Sequence, residues 1–137
     1  LNLFANFGFL KTKIKNWESR IDLEDRAQAH APEKTYSVGM SYDLKNNFYL
    51  KFDINGKSSF YYSDSHDNKS QSYQLININF GYSKDNISAE LWIRNALDKY
   101  YSTRGFYFGN EAPNFEDTLY RRQGDPKNLG LSLRYNF

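Results

Sequence analysis

Leu129-Gly130-Leu131-Ser132-Leu133-Arg134-Tyr135-Asn136-Phe137 is the stretch on which the fold turns. As a β-strand it sends Leu129, Leu131, Leu133, Tyr135 and Phe137 to one face and Gly130, Ser132, Arg134 and Asn136 to the other, because strand side chains alternate with period two. A soluble sheet can use the same pattern. A soluble domain, however, seldom finishes on a bare aromatic with its last five apolar positions in register, since termini usually fray into solvent. A strand with lipid on one side and water on the other has a physical reason for it.

The composition narrows the choice. The 137 residues are the length of one domain, and a net charge of +2 with 25% charged residues gives no concentrated basic face for nucleic acid. Mean hydropathy is −0.81, and no run approaches the roughly 18 apolar residues of a membrane helix. A transmembrane β-barrel remains open, since its strands are apolar only at alternate positions. The 12 Tyr and 11 Phe suit the aromatic girdles of such a barrel, or the binding surface of an aromatic-rich carbohydrate-binding sandwich. Cysteine is absent, so disulfide and thiol chemistry are excluded. The chain opens at Leu1 in what reads as mid-strand, which leads us to expect a piece of a longer protein.

Five further segments repeat the terminal pattern. Leu1, Leu3, Ala5, Phe7 and Phe9 form the first apolar row; Tyr36, Val38, Met40 and Tyr42 the second; Phe48, Leu50, Phe52 and Ile54 the third. Ile76, Ile78, Phe80 and Tyr82 follow, then Ile87, Ala89, Leu91 and Ile93. Lys51, Asp53, Glu90, Arg94 and Arg134 all fall on the opposite faces. The connections alternate in length. Lys11–Lys34 is a charged loop with room for a helical turn within Glu18–Ala31. Asp43–Asn47 and Ser83–Asn86 are tight turns, Gly56–Ser72 is a polar loop, and Asn95–Asn128 is read as irregular. Long and short connections on opposite sides are the habit of bacterial barrels. With Phe137 at the periplasmic rim, Tyr42, Phe48, Tyr82, Tyr135 and Phe137 gather near one interface, and the long loops lie outside. The expected fold is therefore all-β, an antiparallel up-and-down transmembrane β-barrel segment of about six strands. Six strands cannot close alone, since single-chain barrels start at about eight and open edges leave backbone groups unpaired in hydrocarbon.

Arg94-Asn95-Ala96-Leu97-Asp98-Lys99-Tyr100-Tyr101 followed by Thr103-Arg104-Gly105-Phe106 resembles the signature near the end of TonB-dependent outer-membrane receptors. Ala31-Pro32 with Tyr36-Ser37-Val38-Gly39, the loop Lys57–Tyr73, and Gly124-Asp125-Pro126 leading into Leu129–Phe137 are similar to that family too. The resemblance covers essentially residues 1–137 and implies the C-terminal portion of a barrel of about 22 strands, with plug and earlier strands upstream. It implies active uptake of a scarce ligand such as an iron–siderophore complex, in the outer membrane of a Gram-negative bacterium. The implied partners are outer-membrane lipid, the remainder of the receptor, and the TonB complex through the missing N-terminal region. Gly130, Leu133, Tyr135 and Phe137 resemble the signal read by the barrel-assembly machinery, beside their plain role of closing the barrel. The alternatives are a strand-contributing subunit of an oligomeric outer-membrane barrel and the soluble carbohydrate-binding β-sandwich.

Candidate chemistry lies in the loops. Phe60, Tyr61 and Tyr62, with Phe106, Tyr107 and Phe108, could stack on an aromatic or sugar-like ligand while Arg104, Arg121 or Arg122 meets an anionic group. The competing reading packs these rings loop against loop, or into a girdle. Asp64, His66 and Asp67 are the one cluster with metal-ligand character, though such residues in a Ser/Asn-rich loop are more often solvated. His30 is isolated and has no assigned role. No cofactor is expected, and no enzymatic activity. Glu90 and Arg94, four apart on one strand face, suit an ion pair better than acid–base work.

Overall fold

A computed structural model describes residues 1–15 and 18–137; positions 16 and 17 of the first predicted loop lie outside the described residues. The fold is all-β and antiparallel. β1 (Asn2–Phe9), β2 (Lys34–Asp43), β3 (Phe48–Lys57), β4 (Tyr73–Lys84), β5 (Ile87–Arg94) and β8 (Asn128–Tyr135) form a six-stranded sheet in that order. β6 (Ser102–Phe108) and β7 (Thr118–Gln123) pair as a separate two-stranded sheet.

Alternation within each strand becomes a two-faced sheet through register. Leu3 opposes Met40, Met40 opposes Phe52, Phe52 opposes Ile78, and Ile78 opposes Ile93. Leu91 faces Leu131, and Ile87 faces Tyr135. Every apolar row thus falls on one side, and a slip of one residue in any strand would break that continuity. Among the described residues no second layer covers this side: Leu3 is 73% exposed, Phe7 65%, Leu131 63% and Leu133 74%. At the end carrying the tight turns the rings cluster, Phe48 with Phe80 at 5.5 Å and Tyr82 at 5.1 Å, and Tyr135 with Phe137 at 5.0 Å.

The opposite side holds a hydrogen-bonded polar network. Glu90 accepts from the Tyr49 hydroxyl and from Asn79 Nδ2, both at 2.8 Å, and Arg94 Nη1 donates to Asn79 Oδ1 at 2.6 Å. The Glu90–Arg94 ion pair expected from their spacing is thus replaced by a bridge through Asn79. Asp53 accepts from Asn55 and from Asn77 Nδ2. Asn79 is buried, whereas most of the large apolar side chains across the sheet are exposed. Polar within and apolar without is the reverse of a soluble core.

Among the described residues the sheet is open, with the outer edges of β1 and β8 unpaired and no closed barrel, as six strands alone are expected to leave it. One expectation about the connections needs correction. Asn95–Asn128 is not irregular throughout, since it contains the β6–β7 hairpin. Its strands escape a period-two reading because one side packs on another loop and the other carries both rings and arginines, which leaves neither side cleanly apolar. The helical turn expected in the first loop is a 3-10 turn at Ile21–Leu23.

Candidate functional site

All three long connections meet at one end of the sheet, and among the described residues the three buried apolar side chains (Leu23, Phe60 and Tyr62) lie there rather than in the strands. Leu23 is held by a local fold in which Ile14 N donates to Arg26 O and Asp25 N to Ile14 O, each at 2.9 Å. The loop between β3 and β4 doubles back on itself: Ser70 N donates to Phe60 O at 2.8 Å and Tyr62 N to Asn68 O at 3.1 Å.

This middle loop joins its neighbours. Toward the first loop, His30 N donates to Tyr61 O at 2.9 Å and Ala29 N to Asp64 Oδ1 at 2.6 Å. The Arg26 guanidinium donates to Asp67 Oδ1 at 2.7 Å and to the His66 carbonyl, and lies 4.0 Å over the Tyr61 ring. Lys69 Nζ sits 4.2 Å from the same ring centroid. Toward the hairpin, the His66 imidazole stacks on Tyr107 at 3.6 Å with 6° between planes, and its Nε2 is 3.5 Å from Asp117 Oδ2. Ser63 Oγ lies 3.0 Å from His66 Nδ1 and Ser65 Oγ 3.2 Å. Tyr62 fills the space above Gly105, where an added Cβ would come within 2.5 Å of its ring. Burial, with Asp67 nearby, pushes the Tyr107 hydroxyl above its ordinary value.

Asp64, His66 and Asp67 therefore take three separate partners: a backbone amide, an aromatic face with an aspartate, and a guanidinium. Among the described residues no three His, Cys, Asp or Glu side chains converge on one point.

The nine candidate ligand residues divide. Phe60 and Tyr62 are interior to the loop cluster, Tyr61 lies between Arg26 and Lys69, and Tyr107 is covered by His66. Arg104, Phe106 and Phe108 share the outward side of β6, and Arg122 and Tyr120 stand opposite Arg104 and Phe106 on β7. Phe106 and Tyr120 stack at 5.7 Å, and Phe106 and Phe108 are 53% and 55% exposed. Arg121 opposes Gly105, on the other side of the hairpin. Two guanidiniums directly across a ladder repel one another, and neither Arg104 nor Arg122 forms an ion pair among the described residues. An anion between them would relieve that repulsion while a planar group lay on the adjacent rings.

Two residues outside the candidate set organise these loops. Arg26 gave no sequence signal, being one cation in a charged stretch. Asn95 lies inside the quoted signature; buried at φ 48°, it donates through Nδ2 to Lys99 O and Asp125 O, both at 3.0 Å, and accepts from Lys99 N at 2.8 Å. Asp98 adds an acceptor for Lys127 N at 2.8 Å. The Arg-Asn-x-x-Asp-Lys run is thus a device for folding the last loop back to β8. On β8, Gly130 lies beneath Trp92 while Leu133 and Tyr135 stand on the apolar side. No protein-family model and no solved structure matches this chain.

Proposed function

We propose that the chain is a six-stranded section of an outer-membrane β-barrel of the TonB-dependent receptor type, taking part in uptake of a scarce ligand at its long-loop end. One observation carries this reading: apolar rows continuous across six strands and uncovered by any described layer, backed by a hydrogen-bonded polar side. Lipid accounts for the first face and an aqueous lumen for the second. The ring cluster at the tight-turn end suits the periplasmic interface, and the β6–β7 hairpin supplies an extracellular anion-and-ring surface. Further strands, from the same protein or from neighbouring subunits, would pair with the free edges of β1 and β8. A carbohydrate-binding sandwich would need a second sheet over the apolar face, and none is present among the described residues.

Washing native membranes tests the proposal. The protein should stay in the pellet through high salt and alkaline carbonate and leave only with detergent. Release by salt alone would overturn it.

A further inference from the structure

Where the apolar rows end, on the long-loop side of β2, β3 and β4, a groove of about 490 Å³ opens. Tyr36 and Gln74 both oppose Gly56, one row beyond Val38, Ile54 and Ile76. Lys34 begins β2 just above them on the same side, whereas Lys57 ends β3 on the polar side, in step with Lys51 and Asp53. Leu97 and Lys99 enter from the turn after β5, anchored where Ala96 N donates to Ile76 O at 2.8 Å. The exposed lysines Lys34 and Lys99 border this groove with no Asp or Glu lining it, and neither forms an ion pair among the described residues. Lys57 is steadied by aromatic faces, its Nζ 5.0 Å from the Phe60 centroid and 5.7 Å from that of Tyr73. Leu97, 73% exposed, adds an apolar wall.

Like charges gathered without counter-charge concentrate anions. A free anion would use the lysines alone. An anion carried on acyl chains would use the lysines and also the apolar rows that begin one row lower. We infer that this groove seats the phosphate headgroup of a membrane lipid, with its chains lying down the Val38–Ile54–Ile76 side of the sheet. The inference rests on that side facing lipid.

Native mass spectrometry of the detergent-extracted protein, with added phosphatidic acid or phosphatidylcholine, tests it. Wild type should retain phosphatidic acid preferentially. The exposed-site variant K34Q/K99Q should weaken that retention about fivefold per lysine, with phosphatidylcholine retention unchanged. Should the double variant misfold by circular dichroism, the single variants K34Q and K99Q decide. Undiminished phosphatidic acid retention in a folded variant would overturn the assignment, as would full displacement by inorganic phosphate, which would identify a free-anion site. A protein that leaves membranes with salt refutes the membrane reading itself, whereas one that needs detergent but ignores the lysine changes refutes only the headgroup seat.

Discussion

On the polar side of the sheet, aromatic residues stand directly opposite glycines: Phe4 with Gly39, Tyr49 with Gly81, Trp92 with Gly130. Each ring lies over its glycine so closely that a Cβ there would come within 2.6, 2.2 and 2.2 Å of it. The missing side chain is what lets the ring lie flat. Gly81→Val should lift Tyr49 away from Glu90 and cost about 1–3 kcal/mol as overpacking, read by denaturant unfolding in detergent. Combining Tyr49→Ala with Gly81→Ala should cost less than the sum of the two single changes, because the clash disappears with the ring. The facing assignment is tested next door on β8. Leu131→Arg places a charge on the apolar side, at about 2–4 kcal/mol near a bilayer midplane, and should abolish membrane insertion. Ser132→Arg should lose only the 3.2 Å bond from Trp92 Nε1 and still insert. The glycines were legible in the sequence only as small residues on the polar rows, because their purpose depends on what stands across the ladder.

Among the elements, the six long strands were legible because tight turns fix register and an uninterrupted apolar row marks each face. The structure lengthens β3 and β4 by two residues each on the loop side, through Gly56-Lys57 and Tyr73-Gln74, where polar residues hide the pattern. The loop cluster was less legible, since its cohesion comes from a few contacts distant in sequence. Arg26 shows this best. Its side chain is 11% exposed while that of its partner Asp67 is 95% exposed, so the carbonyl bonds and the Tyr61 face matter more than the ion pair. Arg26→Ala should loosen the middle loop by about 1.5–3 kcal/mol, as for lost bonds to a charged group. Asp67→Ala should cost under about 1 kcal/mol. Limited proteolysis within residues 58–72 would rank the two, and equal sensitivity would contradict this account. On the hairpin, the Tyr120 hydroxyl donates to Glu111 Oε1 at 2.9 Å, and that bond holds its pKa above the ordinary 10.0. A raised tyrosine pKa contributes stability below about pH 10 that is lost as pH climbs through the raised value. Ultraviolet titration of Glu111→Gln should show one tyrosine ionising at lower pH than in wild type.

For the molecule as a whole, sidedness organises everything else. The apolar side, the polar side, the end with tight turns and the end with long loops are four distinct surfaces, and each was foreseeable from alternation and connection length. Which loop residues would meet a ligand was not foreseeable. Phe60 and Tyr62 look as available in sequence as Phe106 and Phe108, and only the folding of one loop onto another separates interior rings from presented ones. The unpaired margins of β1 and β8 carry one more consequence. Each offers a ladder of amide donors and carbonyl acceptors with no partner strand among the described residues. Concentrated in water, this sheet is a seed: copies should add margin to margin into thioflavin-binding fibrils, with a lag that shortens as protein concentration rises.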